Sequence, residues 1–230
     1  KMAEVKVGDL SKTQAYWLSE DTIAWNIASD PDSDYYLNYA RDAGLTIEDT
    51  GIMMGEQITL TIDPAGLPQD IRDKFPHLAG LPALKIPAAD VANVPDILKG
   101  QFAVSAFDSS GELRDATGLQ IPGVLDDLYT YTGDLGVVYS GTVPSLHLWA
   151  PTAQTVTLHI FDDALATTTS VTYPMAYDAD DGVWSVTGEA SWDKKFYLYE
   201  IVVYAPSTQQ IEHNIVTDPY ALSLSMNSKR

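Results

Sequence analysis

The chain has 230 residues, of which 32 are acidic and 13 basic, for a formal charge of −19. That balance excludes nucleic acids and anionic membrane surfaces as partners, because their phosphates need Lys and Arg opposite them. It contains no Cys, which removes disulfides, Cys-held zinc and thiol nucleophiles, and no apolar run approaches the roughly 20 residues of a membrane span. Hydrophobic residues make up 45% and aromatic residues 10% of the chain, enough to bury a core. A soluble globular protein of one or two domains is therefore expected, at roughly 100–200 residues per domain. No basic segment followed by an apolar stretch opens the chain, so any signal peptide is expected upstream or already removed.

In chain order, residues 22–27 and 57–62 alternate polar and apolar side chains, the period of a half-buried strand. Residues 68–75 predict a short helix, with Pro68 suited to its start and Pro76 stopping it. Ser109, Ser110 and Gly111 mark a turn, and residues 124–131 a second short helix after Pro122 and Gly123. A boundary is expected at residues 132–136. Beyond it, strands follow at 145–149, 155–161 and 196–204, separated by turn residues at 180–182 and 205–207. The pattern predicts an all-β chain with little helix: two antiparallel β-sandwich, Ig-like domains in tandem, over residues 1–135 and 136–230. Residues 223–230 carry no strand pattern and read as a linker out of the second domain.

The hydrolytic and metal motifs are missing. There is no Gly-x-Ser-x-Gly elbow and no Gly-rich phosphate loop. His77, His147, His159 and His213 lack metal-ligand spacing, and the strand pattern places His147 and His159 on solvent-facing strand positions. Asp30, Asp32 and Asp34 stand at alternate positions, as in a calcium loop, but Tyr35 and Arg41 occupy places where such a loop needs Gly and Glu. Asp178, Asp180 and Asp181 precede Gly182 and read as a hairpin turn. No cofactor is expected, and any calcium effect should be weak. The neighbouring pairs Asp126–Asp127 and Asp162–Asp163 do not form a general acid–base pair if they lie on strands, where adjacent side chains face opposite ways. Aromatic residues are more informative. Trp149, Trp184, Trp192, Tyr197 and Tyr199 all fall in the second domain, and aromatic rings stack on the C–H faces of sugars.

Residues 148–156 read LWAPTAQTV, a Gly-x-Trp places Trp184, residues 196–201 read FYLYEI and residues 216–225 read VTDPYALSLS. Taken together, these segments resemble family 48 carbohydrate-binding modules. The first domain is similar to the β-domain that precedes that module in type I pullulanases and limit dextrinases, through KFPHL at 74–78, LPAL at 81–84 and ATGLQIPGVLDDLY at 116–129. The resemblance implies the non-catalytic N-terminal portion of an α-glucan debranching enzyme. It also implies α-glucan (pullulan, starch or glycogen) and the (β/α)8 catalytic barrel of the same enzyme as partners, and an extracellular, cell-surface or periplasmic location. The barrel's catalytic segments have no counterpart here, so the chain by itself is expected to be inactive.

In family members that grip glycogen, a Trp, a Lys and a second Trp carry the contact. Their positions correspond to Ala164, Glu200 and Ser207, and none of the three types is kept. Trp184, Trp192 and Lys194 are the sugar-contact candidates, with a ring face of each Trp expected near solvent and Trp149 expected to be mostly buried. The rival expectations are an Ig-like structural or adhesion module without a sugar role, and one chain of a nicked active enzyme.

Overall fold

The computed structural model describes residues 7–48, 51–165, 169–221 and 223. It divides into two compact units, residues 1–128 with 204–210 and residues 129–203 with 211–230. The linker expected at 223–230 lies, except for Ser223, outside the described residues. No helix among the described residues is long and apolar enough to cross a membrane.

The first unit is built on β1 (Asp9–Ser19), β2 (Thr22–Ala24), β3 (Asp34–Ala40), β4 (Thr46–Glu48), β5 (Gly51–Met53), β6 (Glu56–Asp63), β7 (Ala83–Lys85), β8 (Gln101–Phe107) and β9 (Leu113–Gln120). Seven of these close into a barrel in the order β1-β2-β7-β6-β3-β8-β9, while β4 and β5 form a separate hairpin. The expected sandwich takes a closed, barrel-like form here. Closure comes from β1, which pairs antiparallel with β2 and parallel with β9. Register shifts between Asp9 and Thr13 and between Thr13 and Ala15 bend β1 enough to meet both neighbours. Closing the sheet leaves its strands without a free edge.

Sequence alternation locates β6 closely, but it overextends β2. After Ala24 the chain turns, and Trp25 enters the core with no exposed surface. Strand β8 does not alternate because residues 101–106 are buried on both faces. The barrel core gathers Trp17, Ile23, Trp25, Leu37, Leu84 and Val104. Three short helices fill the connections: α1 (Gln69–Lys74), α2 (Val94–Ile97) and α3 (Pro122–Leu128). Pro68 is the N-cap of α1, one position before the helical residues, and Phe75 ends it. Pro122 takes the first position of α3, where the missing N–H costs nothing, and Ile121 accepts the first helical bond from Leu125. A Cβ on Gly123 would come 2.8 Å from Leu18 Cα, so only Gly lets α3 lie this close to β1.

The second unit is a sandwich of two four-stranded sheets. The first, in the order β10-β11-β15-β14, comprises β10 (Gly136–Ser140), β11 (Val143–Trp149), β14 (Ala176–Tyr177) and β15 (Val183–Thr187). The second, in the order β13-β12-β16-β17, comprises β12 (Ala153–Phe161), β13 (Val171–Pro174), β16 (Phe196–Ala205) and β17 (Gln210–Val216). Leu146 and Leu148 from one sheet pack with Val156, Leu158 and Tyr199 from the other.

The large acidic surplus has a local structural use. Asp9, Asp30, Asp63, Asp108, Asp163, Asp178, Asp181 and Asp218 each accept, through the carboxylate, the backbone N–H two residues ahead. This is the Asx turn, which supplies the acceptor a tight turn lacks. Hydrogen bonds from Ser11 hold Asp9, and hydrogen bonds from Ser110 hold Asp108, below the usual carboxylate range. Ionised carboxylates are therefore favoured by the folded state. Their contribution is complete above the ordinary Asp pKa of about 4 and is lost as pH falls through the lower folded-state values. Urea midpoints should fall between pH 4 and pH 2, and Asp108→Asn, which keeps the turn but not the charge, should flatten that acid limb.

Candidate carbohydrate-binding site

The segment that carries the strongest family text, residues 149–153, works as a clasp. Trp149 ends β11, and its indole Nε1–H donates to the Asp181 carbonyl at 3.1 Å. Trp184, on β15, donates its own Nε1–H to the Ala150 carbonyl at 3.0 Å. Between them, Ala150 N–H donates to the Gly182 carbonyl at 3.1 Å. The two strands are direct neighbours, with Leu148 opposite Trp184 and Trp149 opposite Val183. The clasp thus locks one end of that ladder. Gly182 sits at φ +74°, and a Cβ there would come 2.8 Å from Pro151 Cβ, so the 178–182 hairpin turn requires Gly on both counts.

This geometry corrects the sugar-stacking expectation for the two tryptophans. Trp184 and Trp192 are each only 7% exposed. Tyr177 tilts against Trp184 with centroids 4.9 Å apart, and Tyr173 lies 4.5 Å from Trp192. Both indoles belong to the sandwich core, and neither keeps a free ring face for a sugar. The reason is strand register: Trp184 shares a face with the inward side of β15 and spends its one donor on Ala150. Trp192 closes a 3-10 turn (Ala190–Trp192), and its ring covers Gly188, where a Cβ would come 2.2 Å from Trp192 Cε3. Trp149, expected to be mostly buried, is of intermediate exposure. Lys194 is the one candidate that faces water, with its side chain 89% exposed. It adopts φ +62° and lies 3.8 Å from Asp193. The structure does not bring Trp184, Trp192 and Lys194 together as a stacking surface with a hydrogen-bonding lysine.

The acidic loops are engaged by the protein itself. The Asp30 carboxylate accepts from Asp32 N–H, Ser33 Oγ and the Arg114 guanidinium, the last at 3.2 Å. Asp178 and Asp181 accept the N–H groups of Asp180 and Val183. Among the described residues, no three His, Asp or Glu groups converge in an arrangement that could hold a metal ion.

A polar cluster that the sequence does not announce lies on the outer face of the sheet containing β12, β16 and β17. His159 Nε2 lies 2.8 Å from Glu200 Oε2, His213 Nδ1 lies 3.7 Å from Glu200 Oε1, and His159 Nδ1 lies 2.9 Å from Ser170 Oγ. A carboxylate can only accept, so Nε2 of His159 carries a proton, and Nδ1 is within hydrogen-bond distance of Ser170 Oγ. The His159 hydrogen bond is the main reason the Glu200 carboxyl is held below its ordinary value, against a smaller effect of burial. His159 is therefore not the solvent-facing strand residue expected: its side chain is only 14% exposed. His147 is likewise half-buried, with Nδ1 3.1 Å from the Asp134 carbonyl. The signal was present in strand pairing: Thr157 opposes Glu200, which puts His159 and Glu200 on one diagonal of one face.

Glu200 lies near the position that the sequence leads one to expect for the Lys of glycogen-gripping relatives. Ala164 stands in the turn after β12, and Ser207 in the 204–210 segment that groups with the first unit. The outer face of the sheet containing β12, β16 and β17 therefore presents a carboxylate flanked by two imidazoles.

The exit text VTDPYA forms a buried acceptor. Asp218 is 5% exposed and accepts Tyr197 Oη–H at 2.7 Å, Tyr199 Oη–H at 3.4 Å and Tyr220 N–H at 2.8 Å. Burial, and after it the Asp218 charge, pushes both tyrosine hydroxyls well above their usual range.

Two family models match the chain: the Pullulanase N2 domain over residues 12–127 and carbohydrate-binding module 48 (Isoamylase N-terminal domain) over residues 134–221. Pullulanase 1, chloroplastic, of Arabidopsis thaliana is 39% identical over 220 residues, which cover 95% of this chain and 22% of that protein. A pullulanase of Klebsiella pneumoniae is 32% identical over 219 residues, covering 94% of this chain and 19% of that protein. Among solved structures, apo pullulanase from Klebsiella pneumoniae superposes with a TM-score of 0.86 at 33% identity, over 95% of this chain and 23% of that one. Klebsiella pneumoniae pullulanase complexed with maltotriose gives a TM-score of 0.87 at 32% identity, over 96% and 21%. The chain thus spans about a fifth of the length of the relatives it matches.

Two measurements follow from this geometry. Trp149→Phe keeps the ring packing but leaves the Asp181 carbonyl without its indole donor, and should cost about 0.5–1.5 kcal/mol in urea unfolding, with no change in slope. The raised tyrosines work at the opposite end of the pH scale from Asp9 and Asp108. The folded state keeps Tyr197 and Tyr199 protonated where the unfolded chain ionises near pH 10, so their contribution is complete below about pH 10 and is lost as pH rises beyond it. Midpoints should fall from pH 9.5 to pH 11, and Tyr199→Phe, although less stable at pH 8, should fall less steeply.

Proposed function

Because this chain belongs to the pullulanases, as a Pullulanase N2 domain followed by a carbohydrate-binding module 48, we propose that it is the non-catalytic N-terminal portion of an α-1,6-glucan debranching hydrolase. The observation that carries this reading is the unbroken order of the two domains, aligned over nearly the whole chain with pullulanases of known structure. In this reading the substrate-facing partners are α-glucans such as pullulan, starch and glycogen, and the intramolecular partner is the catalytic barrel of the same polypeptide. The acidic loops at Asp30 and at Asp178–Asp181 act as turns, and no cofactor takes part. An extracellular, cell-surface or periplasmic location is part of the proposal, tested by fractionating cells of the source.

A second reading has its own support. The buried Trp184 and Trp192, and Glu200 near the position expected for the Lys of gripping relatives, favour a module whose sugar face is weak and whose main work is packing. Native electrophoresis through gels containing pullulan or glycogen decides between the two. Retardation relative to a glucan-free gel, with dissociation constants near millimolar (about 4 kcal/mol), is expected for the first reading. Unchanged mobility makes the packing role the better description. The purified chain should release no reducing sugar from pullulan; release that copurifies with it would overturn the assignment as non-catalytic.

A further inference from the structure

Outside the module that carries the carbohydrate-binding name, the first unit holds a groove of about 570 Å³, lined by Tyr39, Arg41, Met54, Glu56, Asn93 and Asp96. Its volume lies within the roughly 300–1,000 Å³ of small-molecule sites. Tyr39, near the end of β3, sits at one wall. Its hydroxyl donates to Glu56 Oε2 at 2.9 Å, which fixes the ring, and the ring's inner side packs on the barrel core.

The walls are set by close backbone approaches. A Cβ on Gly55 would come 2.5 Å from the Tyr39 carbonyl, and one on Gly100 would come 2.3 Å from the Ala40 carbonyl. The 42–44 turn is closed by Gly44 N–H donating to the Asp42 carbonyl at 2.8 Å, and Gln101 Oε1 accepts Leu45 N–H at 2.8 Å beneath it. These contacts build the groove without a ligand.

At the rim, Met54 is held at φ +69°, a left-handed conformation costly for a non-Gly residue, and the residue is 76% exposed. The barrel gains no buried contact from placing Met54 there. The placement does give the groove an apolar edge beside a half-buried aromatic ring.

The chemistry of the lining narrows the ligand. Tyr39 and Met54 offer apolar contact, while a guanidinium, a carboxamide and three carboxylates offer both donors and acceptors around it. Arg41, Asp42, Glu56 and Asp96 leave the lining net negative, which disfavours phosphates and other anions. A neutral ligand with an apolar face and a rim of hydroxyls meets all of these conditions. We propose that this groove is a second carbohydrate subsite, taking a short segment of an α-glucan chain on the first unit, separately from the carbohydrate-binding module. The choice of α-glucan among neutral sugars rests on the function proposed above; the groove itself does not.

The test is maltoheptaose titrated into the isotope-labelled full chain, with backbone amide shifts followed by NMR and cellohexaose as the stereochemical control. Shifts at residues 39–44, 54–56 and 93–97 are expected with maltoheptaose, with affinity falling at least fivefold in Asn93→Ala and in Asp96→Ala. Both substitutions lie on exposed positions and should leave the melting temperature unchanged. Shifts confined to residues 134–221, or equal affinity in parent and variants, would overturn the groove while leaving the glucan role standing. Absence of shifts anywhere would overturn both. Equal response to cellohexaose would keep the groove as a sugar site and overturn the α-glucan assignment.

Discussion

The second unit depends on a reciprocal clasp between two indoles and two main-chain carbonyls. Trp149 reaches forward to Asp181 in the turn that leads into β15, and Trp184 reaches back from β15 to Ala150 in the turn that follows β11. Each indole has a single donor, and each is spent on a carbonyl that the turn leaves without a ladder partner. The consequence is a trade between fold and ligand. Trp184, packed in the core at 7% exposure, has no open ring face to present to a sugar. The family text around Trp149 and Trp184 is therefore a statement about how the sandwich is closed.

The acidic composition follows a similar logic. Eight aspartates hold the N–H two residues ahead, and Asp218 adds two tyrosine hydroxyls to its backbone bond. A turn-rich all-β chain needs many such acceptors, and Asp supplies them along with the charge. The same geometry accounts for why loops spaced like calcium ligands hold themselves together: the Asp30 carboxylate already receives an amide, a hydroxyl and a guanidinium.

On the outer face of the β12–β16–β17 sheet, the His159–Glu200–His213 cluster stands near the position expected for the lysine of glycogen-gripping relatives. A Lys offers a cation and three donors to sugar hydroxyls, whereas Glu200 is an acceptor already held by imidazole. The groove beside Tyr39, proposed as a carbohydrate subsite, belongs to the first unit. The Gly-defined walls of that groove belong to the barrel and owe nothing to the module.

The sequence by itself determined the class of fold, the positions of the alternating strands and the family. β6, β11 and β12 are half-buried, so their period of two is written in the residues, and family text such as WAPTA and VTDPYA is local in the chain. Only the tertiary structure decided what those residues do. Strand β8 is buried on both faces and leaves no alternation to read. The barrel closes because β1 bends to meet β9, a pairing about a hundred residues apart in the chain that no local pattern encodes. Trp184 and Trp192 are core residues because strand register and a 3-10 turn aim them inward, and a Trp looks the same in sequence whichever way it faces. His159, Glu200 and His213 meet, and Tyr39 faces Asn93 and Asp96 across a groove, only because separate strands and turns are brought side by side. Such meetings depend on register and closure, which are properties of the whole sheet.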